Sequence, residues 1–173
     1  MKIVLIGYMG SGKSTIGKAL SKKLSYTFKD LDSEIEKVEE KKITAIFSEK
    51  GEIYFRKKEN EVLRNLLSKK NKLVLSTGGG TPCYGTIMDY LTETDNVVPI
   101  YLKASLDVLT ERLYAEKEKR PLISHLESKE NLQDFIRKHL FERSFVYNKA
   151  ALVISVDDKD VSEVVEEIIL KLL

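Results

Sequence analysis

Gly7-Tyr8-Met9-Gly10-Ser11-Gly12-Lys13-Ser14-Thr15 decides the fold. It fits G-x-x-x-x-G-K-[ST] and sits between the aliphatic run Ile3–Ile6 and a segment with Ile16, Leu20 and Leu24 at four-residue spacing. The short apolar run predicts a buried strand, and the four-residue spacing an amphipathic helix. Glycines let backbone amides curl around phosphate oxygens, and the helix N-terminus adds the positive end of its dipole. A lysine at position 13 puts a compact cation on the outer phosphates, and the hydroxyl of Ser14 is suited to ligate Mg²⁺. The pattern therefore predicts a phosphate-binding loop for ATP or GTP, with Gly10, Ser11, Gly12, Lys13, Ser14 and Thr15 around the phosphates. No Asn-Lys-x-Asp guanine-reading motif is present, which disfavours a GTPase.

Outward from this loop, apolar runs alternate with helical patterns. Strands are expected at Ile3–Ile6, Tyr26–Phe28, Leu73–Leu75, Val97–Leu102 and Leu152–Val156. Between them lie helical segments, with Ile43–Lys50 stopped by Gly51 and Glu52–Lys69 carrying Ile53, Leu63 and Leu67 on its apolar stripe. Five short strands separated by helices predict an α/β three-layer sandwich, a five-stranded parallel sheet flanked by helices. The 173 residues read as one domain (1–173), with no repeat or Pro/Gly-rich linker. Residues 114–128 are polar and contain Arg120-Pro121, and are expected to form an exposed mobile lid.

Three further clusters carry chemistry. Asp30 and Asp32 end the second strand candidate, and residues two apart in extended backbone face one side. Ser33 with Glu36 is expected to form the capping box of the following helix, leaving both aspartates free, one near Mg²⁺ and one near an acceptor hydroxyl. Ser76-Thr77-Gly78-Gly79-Gly80 follows a buried strand, where main-chain amides can approach a ligand closely. The chain has six arginines among 29 basic residues, so an arginine is a candidate for bidentate recognition of carboxylate or phosphate. Arg56 and Arg143 lie on inward-facing stripes, with Glu59 at i+3 to orient Arg56, and Arg120 could close onto the transferring phosphoryl group. Arg64 and Arg137 are assigned to the surface, and His125, His139 and Cys83 to packing or solvent. Residues 69–72 read as a solvated lysine-rich connection.

Composition excludes other classes. A net charge of +2 offers no field for nucleic acid. One Cys and two His exclude a disulfide and a Cys/His zinc site. No apolar run approaches the roughly 20 residues of a membrane helix, and the first residues do not read as a leader. The expectation is a cytoplasmic monomer with neither nucleic-acid nor membrane partners.

Taken in order, GYMGSGKSTIG, FKDLD, IFSEKGEIYFRKKE, STGGG, RPLI and ERSFVY resemble the ordered motifs of shikimate kinases over most of the chain. The resemblance implies a nucleoside-monophosphate-kinase-like sandwich that transfers the γ-phosphoryl group of ATP to the 3-hydroxyl of shikimate with Mg²⁺, on the route to aromatic amino acids. It implies that Lys13 stabilises the transferring phosphate, that Ser14 binds the metal, and that Asp30 does so through water. Asp32 would bind the acceptor hydroxyls and orient or deprotonate the nucleophile. Arg56 and Arg143 would clamp the carboxylate with amides of Gly78, Gly79 and Gly80, and Arg120 would reach the phosphates on lid closure. An acceptor-binding helical region at about 33–60 is implied as well. Lys42 stands where that family often has glycine, the flap segment YAEKEK is richer in acid, and 157–160 matches poorly. The residues themselves leave other readings: a phosphate-loop kinase acting on gluconate, a nucleoside monophosphate or dephospho-coenzyme A, or a silent nucleotide-binding protein.

Overall fold

The computed structural model describes residues 1–69 and 71–173; Lys70, in the stretch expected to be a lysine-rich connection, lies outside them. Strands β1 (Lys2–Ile6), β2 (Thr27–Asp30), β3 (Leu73–Ser76), β4 (Val97–Lys103) and β5 (Leu152–Ser155) form one sheet in the order β2-β3-β1-β4-β5. Every pairing is parallel, with Leu5 opposite Ser76 on one side and Ile100 on the other. The helices are α1 (Lys13–Leu24), α2 (Leu31–Glu39), α3 (Ile43–Ser68), α4 (Ile87–Glu93), α5 (Leu106–Glu116), α6 (Lys129–Tyr147) and α7 (Val161–Leu172). β1, β3 and β4 carry Ile3, Val4, Leu5, Ile6, Leu73, Val74, Leu75 and Ile100 fully buried, as strands covered on both faces must. Chain order reverses at β1: the chain leaves to one side for β2 and to the other for β4. Crevices at the carboxyl ends of such strands are where α/β sheets bind ligands.

Local chemistry places the loops there. Gly7, Gly10 and Gly12 hold φ of 144°, 81° and 93°, and a Cβ at Gly7 would lie 2.7 Å from the Leu102 carbonyl oxygen. No side chain with a Cβ fits that turn. After β3, the Thr77 amide and hydroxyl both donate to the Leu5 carbonyl, at 3.2 and 3.0 Å. That double bond ties the glycine loop to the root of the phosphate loop.

Three expectations need correction. Asp30, not Ser33, caps α2: its Oδ1 accepts from the Ser33 amide at 3.1 Å, and Asp32 already lies in the first helical turn. Glu36 instead accepts from the Ile43 amide at 3.0 Å, the first residue of α3, which has no cap from its own Lys42. The carboxylates at 30 and 32 are therefore not on one face of an extended segment. The break at Gly51 (φ 82°, ψ 173°) falls where expected, but the buried stripe after it runs through Phe55, Glu59, Val62, Leu63 and Leu66, so Ile53, two residues before Phe55, lies on the opposite side and is 76% exposed. Residues 114–128 are not wholly exposed: Ile123 is fully buried and Lys117 Nζ donates to the Leu126 carbonyl at 2.9 Å, anchoring the segment from beneath.

Candidate active site

A cavity of about 650 Å³ opens at the carboxyl end of the sheet. Residues Met9–Ile16, Asp30, Asp32 and Ser76–Gly79 line one part, and Arg112, Glu116, Arg120, Val156 and Lys159–Val161 the other. α1 starts at this cavity with Gly12 in the left-handed region, no side-chain cap and no acidic residue in its first turn. Its free amides and dipole are left for an anion.

Lys13 is buried and donates to the Gly7 and Tyr8 carbonyls at 2.8 and 2.9 Å. Its third proton has no partner among the described residues. Burial pulls its pKa down to about 8, against the charges of Asp32 and Asp30. Asp32 moves the other way, up to about 6, first through burial and then through Asp30 and Glu59, with Lys13 opposing. Two oppositely charged groups thus face each other with ionisations drawn toward neutral pH.

The two oxygens of Asp30 have separate duties. Oδ1 caps α2, while Oδ2 accepts from Ser14 Oγ at 3.1 Å, and Ser14 Oγ lies 3.4 Å from Ser76 Oγ. A carboxylate with hydroxyls beside a phosphate cradle is a hard-oxygen set that suits Mg²⁺, which takes one or two carboxylates and completes its shell with water and substrate phosphates. The residues present fit that ion.

The glycine loop joins this cradle to a second group. A Cβ on Gly79 would lie 3.2 Å from the Met9 amide nitrogen, so the two loops touch. One on Gly78 would meet Asp32 Oδ1 at 3.5 Å and Glu59 Oε2 at 3.7 Å, and one on Gly80 would meet Arg56 Nη2 at 2.9 Å. Arg56 donates from Nη1 to Glu59 Oε1 at 2.9 Å, and Thr81 Oγ1 donates to Glu59 Oε2 at 2.7 Å. Glu59 is 1% exposed, so both its oxygens are fixed in a dry site and hold the guanidinium in turn. The other face of Arg56 lies 3.8 Å from the Tyr84 ring centroid. Arg143 comes from α6, and its charge is felt at Lys13, Tyr8 and Tyr147. The charges of Arg56 and Arg143 both reach Cys83, three residues after the glycine triplet. Neither they nor Gly80 line the large cavity; they stand beyond the loop that bounds it.

Arg120 lines the cavity, its Nε and Nη2 donating to Glu116 Oε2 at 3.1 and 2.8 Å. Arg112 donates to the Gly10 carbonyl at 3.1 Å and walls the same side. Asp157 is tied down elsewhere, accepting from the Ser105 amide at 3.0 Å. Arg137 is exposed as expected, while Arg64 is half-buried, 3.9 Å from the Tyr90 ring centroid. Sequence reasoning missed Thr81, Tyr84 and Tyr147, whose hydroxyl donates to the Gly79 carbonyl at 2.5 Å. Thr81 and Tyr84 lie within four residues of the glycine triplet, and Tyr147 stands four residues after Arg143 in ERSFVY; those were the available signals.

The family model described as shikimate kinase matches residues 9–173. The chain belongs to the shikimate kinase family. A shikimate kinase of Flavobacterium psychrophilum is 49% identical over 167 residues, 96% of each chain. The crystal structure of shikimate kinase from Bacteroides thetaiotaomicron superposes with a TM-score of 0.91 at 34% identity, over 99% of this chain and 98% of that one. That of the Acinetobacter baumannii shikimate kinase, solved with shikimate, gives 0.85 at 32% identity over 99% and 92%. These superpositions show that the fold described above is one the solved shikimate kinases share.

Proposed function

We propose that this chain transfers the terminal phosphoryl group of ATP to the 3-hydroxyl of shikimate, giving shikimate 3-phosphate and ADP for aromatic biosynthesis. The observation that carries the reading is the contact between the two glycine loops: it sets a phosphate cradle beside a pocket edge bearing Asp32 and two arginines. An acceptor held by its carboxylate at Arg56 and Arg143 extends its hydroxyls toward Asp32 and the Lys13 side of the cradle.

Asp32 binds the acceptor hydroxyls and takes the proton of the attacking one, and its raised pKa brings its basicity closer to neutral pH. Lys13 stands over the outer phosphates and balances the charge on the equatorial oxygens. The amides of Gly10, Ser11, Gly12, Lys13, Ser14 and Thr15 cradle the non-transferring phosphates. Amides of Gly78, Gly79 and Gly80 complete the acceptor site. Ser14 and, through water, Asp30 would hold Mg²⁺, which would supply neutralisation of phosphate charge. Arg120 leaves Glu116 for the phosphates as residues 114–128 close, which excludes water from the reacting groups. Among the described residues no helix is long and apolar enough to cross a membrane. A cytoplasmic monomer that binds ATP and shikimate, and neither nucleic acid nor lipid, is the setting this reading implies.

The test is ADP release with Mg·ATP against shikimate, gluconate, AMP, CMP and dephospho-coenzyme A. Turnover with shikimate alone, with the new phosphate placed on the 3-hydroxyl by NMR, is expected. Turnover with another acceptor and none with shikimate would overturn the assignment.

A further inference from the structure

One face of α6 carries His139, Arg143 and Tyr147 at four-residue spacing, three successive turns above one another. The outer two each hold one of the glycine loops. Tyr147 donates to the Gly79 carbonyl at 2.5 Å, and His139 Nδ1 lies 2.7 Å from the Tyr8 hydroxyl, across 131 residues of chain. Tyr8 is the second residue of the phosphate loop and is 1% exposed, so its hydroxyl has no access to bulk water. Phe135, one turn before, packs edge-on against the His139 ring with centroids 4.4 Å apart and fixes its plane. Between the two ties, the Arg143 guanidinium carbon lies 5.7 Å from the Tyr8 ring centroid, within range of attraction to its π-face.

We propose that His139 is a positioning residue: by holding the Tyr8 hydroxyl it fixes the ring against which Arg143 rests, and so sets the aim of Arg143 at the acceptor carboxylate. This inference rests on the carboxylate-clamp reading of Arg143. Burial pushes the Tyr8 phenol above its ordinary range, so the hydroxyl stays neutral, and it shares one hydrogen bond with His139 Nδ1. An arginine side chain has four flexible torsions, and a fixed aromatic face on one side removes much of that freedom before the acceptor arrives.

The experiment measures KM for shikimate, KM for ATP, kcat and Tm for His139→Leu, His139→Asn, Tyr8→Phe, His139→Leu/Tyr8→Phe and Arg143→Lys. His139→Leu and Tyr8→Phe are each expected to raise the shikimate KM roughly three- to tenfold, the range of one lost hydrogen bond. The double variant should be no worse than either single one, because both remove the same contact. His139→Asn, which keeps a donor and an acceptor near the Nδ1 position, should return to within about twofold of the parent. KM for ATP should change by less than about twofold throughout. An unchanged shikimate KM in His139→Leu and Tyr8→Phe, with a raised one in Arg143→Lys, would overturn the positioning role and leave the clamp standing. An unchanged value in Arg143→Lys as well would remove the clamp itself. Parallel losses in both KM values and kcat, with a lower Tm and no rescue by asparagine, would reduce His139 to a packing residue and overturn the proposal.

Discussion

The phosphate end and the acid end of this site are built by opposite means. Around the phosphate loop the recognising groups are main-chain amides, a helix terminus and one lysine, all within residues 7–15. Around the acceptor, beside the glycine-loop amides, the groups are side chains from α2, α3 and α6 set by tertiary contacts: Glu59 holds Arg56, Thr81 holds Glu59, and Tyr147 holds the Gly79 carbonyl. A backbone site is dictated by local conformation, so few substitutions tune it and most abolish it. A side-chain site is assembled by tertiary contacts, and its affinity can be altered one partner at a time.

The largest effect should fall at the phosphate end. Lys13→Met is expected to lower kcat by about 10²–10³-fold, since it removes a preorganised charge from the transferring group. Steady-state rates at saturating ATP check it, and a loss under tenfold would place that charge elsewhere. Asp32→Asn joins the two ends and should lower kcat by about 10²-fold. The same substitution should also stabilise the fold. The Asp32 carboxyl is harder to ionise folded, at about 6, than at its ordinary 3.8, so the unfolded state gains on the folded one as pH rises between those values. Above pH 6 that destabilisation is fully present, and Asp32→Asn is expected to have the higher Tm at pH 8 by calorimetry. An equal or lower Tm would mean that burial is not what raises this group.

At the acceptor end, Arg56→Lys should raise the shikimate KM by about 10–100-fold with a smaller change in kcat, because lysine cannot reproduce the fork held by Glu59. A kcat loss equal to the KM gain would make Arg56 part of the transferring machinery and blur the contrast. The smallest effect on the fold should come from Asp30→Asn. Asparagine caps a helix about as well as aspartate, so Tm should move by only a degree or two. The Mg²⁺ concentration for half-maximal rate should still rise about tenfold, the loss of one charge-assisted ligand contact. A fall in Tm with unchanged Mg²⁺ dependence would give Asp30 to the cap alone.

The same contrast governs what could be read in the amino-acid sequence. The phosphate loop, the glycine triplet and four of the strands were legible because glycine spacing and buried aliphatic runs are local signals. The β2 strand extends to Asp30, past the expected Phe28, because Asp30 pairs in register with Ser76, a partner 46 residues away in the chain. The cap of α2 was misread for a related reason: Ser33 and Glu36 satisfy the capping pattern, yet Glu36 caps the next helix instead. The break at Gly51 was legible, but Ile53 was read inward although it lies two residues before Phe55, on the opposite side of the helix. Arg56 and Glu59 could be paired from their spacing, and Tyr147 shares the helical face of Arg143, but the stacking of Tyr84 on Arg56 is a contact that no periodicity records.

The most direct measurement is the ratio of kcat/KM for shikimate to that for its methyl ester, with Mg·ATP and the parent protein. The ester keeps the ring and every hydroxyl but carries no carboxylate charge for the guanidinium forks of Arg56 and Arg143 to meet. A ratio of about a hundred or more is predicted, almost all of it in KM. A ratio near one would contradict an acid end built from arginine forks.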